Sequence, residues 1–546
     1  MKSKIFFSSL IVLCFCNVTD TVAQSKSKPN VLFIAIDDLK PILGCYGDKM
    51  IKTPNIDRIA KNGTLFMANY CQQAVCGPTR ASIMTGKRPD YTKVWDLKTR
   101  MRDMNPDILS IPQYFISQGY STQGVGKVYD IRCVDKQFDQ PSWSVPYYVT
   151  DKSMYSKQTG EPAINYYQNP ATKVAAKKAL EEAYAKGLKG DAATTDALVR
   201  VKPSVESVDV PDDAYTDGVH AKMAKNILIE LSKKNEPFFL AVGFSKPHLP
   251  FVSPKKYWDL YDREKMPLAP FQEPSENAVP IAYHNAGELR AYTDIEPIQS
   301  FSDQKQKPGL SLSIAKQKEL IHGYYAAVSY TDTQLGLVLN ALDSLGLTSN
   351  TIIVLWGDHG WHLGDHNLWC KHSNFENAAR APLIISAPGI ASSVVKSPTE
   401  FVDIFPTLCD LAKINIPSGL DGKSLVQAMK KPAMSIKEFS VSQYPRSGEG
   451  SESERLGYAD AEYMGYSLRT TQYRYTIWMK SRWRTSQPFN NNLMIGAELY
   501  DYKKDPLEKV NVAGKKEYVV VLKRMQDYMK RYMDSEFKKL NSTATN

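Results

Sequence analysis

Apolar residues along this chain fall into three patterns. The first is the continuous run. Asn30–Ile36 (NVLFIAI), Pro237–Phe244 (PFFLAVGF), Thr351–Trp356 (TIIVLW) and Pro382–Ile385 (PLII) offer no alternating polar face. Each predicts a strand; the first reads as a buried strand of a parallel sheet, and the second as another buried strand. The second pattern is helical spacing. Thr53-Pro54-Asn55 opens a helix through Ile56, Ile59 and Ala60, and Pro78-Thr79 leads into another just after Cys76. Ile314–Leu345 reads mainly as helix, with Gly346 as its stop. Ala171–Gly187, rich in Ala, Lys and Glu, predicts an exposed helix within a stretch from about Arg132 to Val210 that reads as an insertion. The third pattern is alternation. From about Met434, Ser442–Arg446, Met464–Thr470 and Tyr473–Thr476 predict an antiparallel sheet, closed by a final helix.

These patterns divide the 546 residues into a large α/β body over 28–430 and a C-terminal α+β subdomain over 434–546. The first 23 residues stand apart. Met1-Lys2-Ser3-Lys4 precedes an apolar run Ile5–Cys16 and then small and polar residues up to Ala23. That is the pattern of a secretory signal peptide, and it is too short for a stable membrane span. The expectation is a periplasmic or secreted protein. Of eight cysteines, Cys14 and Cys16 leave with the signal. Six are few for an exported protein of this size, so disulfides are not its main source of stability. The formal charge is +10, and +9 once Lys2, Lys4 and Asp20 are removed. A basic exported protein suits a polyanionic partner, and a generally basic surface is the ordinary alternative. No nucleic-acid motif is present, and export argues against that partner.

Candidate chemistry collects where the buried strands end. Asp37 and Asp38 follow the first strand directly, and ligands of α/β sheets bind beyond the carboxyl ends of strands. Two adjacent carboxylates there repel each other unless a cation lies between them. Cys76 precedes a helix start, where unpaired N–H groups and the helix dipole attract an anion. Cys71 and Cys76 could suggest a disulfide or metal pair, but C-x4-C is a poor zinc spacing and no His occurs in residues 1–219. His248 sits in the Pro-flanked loop Ser245–Phe251 after the second strand, well placed for proton transfer. Asp358 and His359 follow the third. Taken singly, each has an ordinary explanation: a helix cap, a buried thiol, a satisfied histidine. His362, His366 and His372 could form a zinc site in isolation, but their spacing suits no helical pair and reads as cleft wall or structure.

Taken together, the motifs resemble the sulfatase family. Cys76-Gly77-Pro78-Thr79-Arg80 with Thr85-Gly86 is similar to its signature C-x-P-x-R followed by T-G. Ile34–Asp38, Thr53–Ala60, Gly126-Lys127, Lys246-Pro247-His248-Leu249-Pro250-Phe251, Asp358-His359-Gly360, Lys371, Glu498–Asp501 and Asp505-Pro506 match further elements, so the resemblance runs from about Asn30 to Asn511. It implies an alkaline-phosphatase-like sandwich with a large, mostly parallel central sheet flanked by helices, plus the C-terminal antiparallel sheet. It implies that a formylglycine-generating enzyme oxidises Cys76 to an aldehyde whose hydrate attacks sulfur. Asp37, Asp38, Asp358, His359 and residue 76 would hold Ca2+, with Mg2+ or another divalent ion as the alternative because a histidine ligand is unusual for Ca2+. Arg80 would orient the nucleophile, Lys127 and Lys371 would hold the sulfate, and His248 would protonate the departing alcohol. Many members carry a histidine shortly after the lysine corresponding to Lys127. Here the residues are Val128-Tyr129-Asp130, and Asp130 is the candidate substitute. Phe238–Gly243, Lys246–His248, Asp358–Trp361, Ser442–Arg446 and Tyr473–Thr476 look most like the iduronate-2-sulfatase branch, which implies 2-O-sulfated uronic acid ends. Two other readings stand beside this one: a phosphate or phosphonate ester hydrolase of the same superfamily, and a non-catalytic binder of sulfated glycans. A binder has no use for the proton donor.

Overall fold

The computed structural model describes residues 28–148, 167–284, 286–297, 312–446, 462–480 and 493–543. The expected signal peptide, with Cys14 and Cys16, and part of the stretch that reads as an insertion lie outside them.

Seven strands form the central sheet: β1 (Asn30–Ile36), β2 (Thr64–Phe66), β3 (Ser121–Gly126), β4 (Phe238–Phe244), β5 (Thr351–Gly357), β6 (Leu383–Ser386) and β7 (Ser393–Val395). They lie in the order β7-β2-β6-β5-β1-β4-β3. β1 runs parallel to both β4 and β5, and β3 runs parallel to β4. Every residue of β1, β4 and β5 is buried, as their unbroken apolar runs require.

The alternation of side chains within β1 builds two cores. Leu32, Ile34 and Ile36 pack with Ile56 and Ile59 of helix α1 (Pro54–Lys61). Val31, Phe33 and Ala35 pack on the other face with Ile83 and Met84 of α2 (Cys76–Thr85). The insertion carries α3 (Pro170–Ala185) and α4 (Gly190–Arg200). The first face is also covered by α5 (Thr216–Leu231) and the long α6 (Ile314–Ser344), which stops where Gly346 takes φ 68°.

Two expectations need correction, and one strand takes a direction that its sequence does not report. The run at Pro382–Ile385 forms β6, which is antiparallel to both β5 and β2. Burial on both faces makes a strand apolar whichever way it runs, so its composition did not report direction. Helix α2 begins at Cys76 itself rather than after it. The Ala/Lys/Glu-rich helix is not simply exposed. Ala179, Leu180 and Ala183 of α3 close on Ala193 and Ala197 of α4, a small-residue contact with the charged face left outward.

The C-terminal part is a four-stranded antiparallel sheet of β8 (Ser440–Arg446), β9 (Tyr463–Arg469), β10 (Tyr473–Lys480) and β11 (Met494–Asp501), in that order. Helix α7 (Val519–Thr543) covers it through Met525, Met529 and Met533. The sheet is tied to the body at β8. Gln443 N–H donates to the Gln72 carbonyl (2.7 Å) and Ser442 Oγ to the Cys71 carbonyl (2.6 Å). Arg446 donates to the carbonyls of Ile281, Ala282 and His372. All six cysteines of the described residues are unpaired, and no described helix is long and apolar enough to cross a membrane.

Candidate active site

The carboxyl ends of β1, β3, β4 and β5 converge on the start of α2. Each strand delivers its side chains through the residues that follow it. β1 delivers Asp37 and Asp38, β3 delivers Lys127, β4 leads to His248, and β5 leads to Asp358 and His359. Gly126 permits the turn to Lys127. It takes φ 78°, and a Cβ there would meet the Gly243 carbonyl oxygen at 2.0 Å. Cys76 occupies the first position of α2, and its capping residue Val75 contributes no side-chain hydrogen bond. The dipole of the first turn therefore acts on residue 76 without a competing cap.

Arg80, one turn further along α2, is wholly buried and ties the strand ends together. Its Nη2 donates to Asp37 Oδ1 (2.7 Å), its Nε to Asp358 Oδ2 (3.1 Å), and its Nη1 to the Val128 carbonyl (2.9 Å) and the Lys127 carbonyl. Lys127 pairs with the second oxygen of Asp37. Lys371 Nζ lies 3.0 and 3.1 Å from the two oxygens of Asp38. Burial pushes the Asp37 carboxyl up, but Lys127 and Arg80 override it and hold it well below the usual range. Burial raises the Asp358 carboxyl.

His359 Nδ1 lies 2.9 Å from the Gly360 carbonyl oxygen, so Nδ1 carries the hydrogen and Nε2 presents a lone pair. That lone pair faces Cys76 Sγ at 3.5 Å, Asp38 Oδ1 at 3.3 Å and Asp358 Oδ2 at 3.6 Å. Cys76 Sγ is 3.9 Å from Asp38 Oδ1. Ligand atoms of Asp38, Cys76, Asp358 and His359 all lie within 4.8 Å of one another, and so do those of Asp37, Asp38, Cys76 and His248. Convergent acceptors of this kind fit a divalent cation. The Cys76 thiol is pushed well above its usual range by burial, with Asp37 adding to the effect.

His248 Nδ1 lies 2.6 Å from the Leu249 carbonyl oxygen, which leaves Nε2 facing Glu288 Oε1 (3.2 Å) and Asp38 Oδ2 (3.8 Å). Its loop is held from below. Asp217 at the start of α5 accepts the N–H groups of Ser245 and Lys246, and Lys246 Nζ donates to the carbonyls of His248 and Pro250 (2.7 Å each).

All nine residues singled out from the sequence thus meet in one site. Asp130 does not join them as a free base. Its carboxylate is bound by Arg132 N–H, Nε and Nη2 at 2.7–3.0 Å; burial raises its pKa, but the Arg132 hydrogen bonds prevail and hold it at about 2. His362 bonds Ser373 Oγ and His366 stacks on Phe375, both structural, while His372 lines the cleft. One residue was not legible. Glu288, on the short helix Gly287–Arg290, reaches Lys371, His248 and His372. It belongs to no motif, and only the folded chain brings it to the site.

A mostly parallel sheet that presents clustered carboxylates beside a helix N-terminus, with lysines around them, fits the alkaline-phosphatase-like fold of the solved structures that it resembles. A sulfatase family model matches residues 29–414, and a model of the N-sulphoglucosamine sulphohydrolase C-terminal region matches 364–535. The chain belongs to the sulfatase family and is a sulfuric ester hydrolase. Iduronate 2-sulfatase of Mus musculus is 32% identical over 558 residues, covering 92% of this chain and 95% of its own. Among solved structures, a 2-O GAG sulfatase is similar with a TM-score of 0.64 at 22% identity, covering 94% of each chain. The phosphonate monoester hydrolase of Agrobacterium radiobacter is similar with a TM-score of 0.65 at 22% identity, covering 94% of this chain and 96% of its own. At these identities the two structures speak for the fold.

Proposed function

We propose that this protein is an exported sulfatase that removes O-sulfate from sulfated glycans, with 2-O-sulfated uronic acid ends as its first candidate substrate. One observation carries the reading. Residue 76 sits at a helix N-terminus, 3.5 Å from His359 Nε2 and 3.9 Å from Asp38 Oδ1, in a site that also holds Arg80, Lys127 and Lys371. An unmodified thiol suits this role poorly, because burial beside carboxylates opposes its ionisation. Formylglycine at position 76, made by a maturation enzyme, would supply a hydrated aldehyde with a hydroxyl nucleophile.

Asp37, Asp38, Asp358 and His359 would hold a divalent cation, Ca2+ in this reading, with residue 76 beside it. Such an ion supplies a lowered hydroxyl pKa and partial neutralisation of the ester oxygens. The remaining work falls to the chain. Arg80 fixes the carboxylates of Asp37 and Asp358 relative to residue 76. Lys127 and Lys371 bind sulfate oxygens, where charge shifts as the S–O bond breaks. His248 donates the proton on Nε2 to the departing sugar oxygen, its ring oriented by the Leu249 carbonyl.

The uronic acid assignment is supported by the 32% identity to iduronate 2-sulfatase. The test is sulfate release from defined saccharides bearing 2-O-sulfated uronate ends, 6-O-sulfated hexosamines, or sulfated galactose or fucose. The protein would be co-produced with a formylglycine-generating enzyme. Release from the 2-O-sulfated uronate alone is the expected result; release from another linkage would replace the substrate and keep the chemistry. A second reading, phosphonate or phosphate ester hydrolysis, draws on the likeness to phosphonate monoester hydrolase. Higher kcat/KM on those esters than on any sulfate ester would favour it.

A further inference from the structure

The site holds one more carboxylate than the chemistry above employs. Asp37, Asp38 and Asp358 are faced by Arg80, Lys127 and Lys371, three negative charges against three positive. Glu288 is a fourth carboxylate, and its partners are groups already engaged. Its Oε1 lies 3.1 Å from Lys371 Nζ, which Asp38 also holds, and 3.2 Å from His248 Nε2. Its Oε2 lies 3.7 Å from His372 Nε2 and takes part in no hydrogen bond. Burial would push its carboxyl up, but Lys371 and then His248 and His372 prevail and keep it ionised. The side chain is 19% exposed, so it borders the cleft rather than the core.

Glu288 therefore places a negative charge against the two groups that an incoming ester must meet, the lysine that binds its oxyanion and the histidine that protonates its leaving oxygen. A cation held by the aspartates attracts every anionic ester, whereas Glu288 repels in proportion to the ester's charge. A sulfate monoester carries a single negative charge. A phosphate monoester carries close to two above its second pKa of about 6. Phosphonate monoesters again carry one.

We propose that Glu288 is a charge-selecting residue that favours a singly charged ester group at Lys371 and disfavours the doubly charged group of a phosphate monoester, the charge being that of the sulfuryl or phosphoryl group and not of a sugar carboxylate elsewhere in the substrate. The inference rests on the reading that Lys371 and residue 76 receive the ester's oxyanion. A residue that merely propped the loop or oriented His248 would affect all esters alike, since each needs the same pocket and a protonated leaving oxygen. One further unit of repulsion at roughly 5 Å, at an effective dielectric constant of about 20, is enough for a tenfold or larger preference.

The experiment compares three esters of one alcohol, the sulfate, the phosphate monoester and a phosphonate monoester, at pH about 7.5 on full-length matured protein. Wild type is set beside Glu288→Gln and Glu288→Asp, and Glu288→Ser removes the same charge should the amide variant not fold. Loss of the charge is expected to raise the phosphate-to-sulfate ratio of kcat/KM at least tenfold. The phosphonate-to-sulfate ratio should stay within about twofold, and Glu288→Asp should restore the wild-type ratio. Parallel changes in all three esters, or an unmoved phosphate-to-sulfate ratio, would overturn the inference. The wild-type ratio alone tests the sulfatase reading, so the two can fail separately.

Discussion

Arg80 is wholly buried, and four of its five N–H donors are engaged. Two carboxylates and two carbonyls share its guanidinium, and Trp356 lies under it at 5.2 Å. Removing one partner of a buried ionic network leaves uncompensated charge and costs about 3–5 kcal/mol. Arg80→Met should lower stability by that amount in chemical denaturation. A change below about 1 kcal/mol would mean that the aspartates find other partners. At this scale most of the site was legible in the sequence. Asp37, Asp38, Cys76, Arg80, His248, Asp358 and His359 each sit in a short motif anchored to a strand end or helix start, so local order fixes their place. Glu288 has no such anchor. Its distances to Lys371 and His248 come from the packing of a loop, which no spacing rule encodes. Asp130 shows the converse, because its position in sequence suggested a base and its contact with Arg132 removed it from that role.

At the scale of elements, the C-terminal sheet carries its own titratable device. Glu498 on β11 accepts from Trp478 Nε1 (3.0 Å) and Tyr500 Oη (2.9 Å). Burial outweighs these bonds and raises its pKa to about 7 from the ordinary 4.5. A carboxyl whose folded pKa is raised contributes stability below its unfolded pKa and loses it as pH climbs through the folded value. Glu498→Gln removes that loss. Relative to wild type, the variant should gain up to about 3 kcal/mol between pH 4.5 and pH 7. Melting both proteins at the two pH values checks this, and equal slopes would refute it. The strands and helices themselves were read well where periodicity was long. Strand direction was not, because β6 is apolar for the same reason as its parallel neighbours. The alanine contact between α3 and α4 was also missed, since small residues give a weak hydrophobic signal.

For the whole molecule, two cores on opposite faces of one sheet hold four strand ends and one helix start in fixed relation. The clustered acceptors around His359 Nε2 fit a cation before any substrate arrives. A ligand that binds only the folded state stabilises it by about 2.7 kcal/mol at a hundredfold excess over Kd. Adding Ca2+ after chelation should therefore raise Tm. Replacing Asp37, Asp38 and Asp358 by Asn should abolish that rise, and an equal rise in the triple variant would place the ion elsewhere.

The central claim is that residue 76, once oxidised, is the nucleophile. Wild-type protein with the aldehyde at position 76 confirmed by mass should be compared with Cys76→Ala on the best substrate of the saccharide panel. The account predicts sulfate release by wild type and its loss, by at least a thousandfold, in the variant, roughly 4 kcal/mol of barrier. Undiminished sulfate release by Cys76→Ala would contradict it.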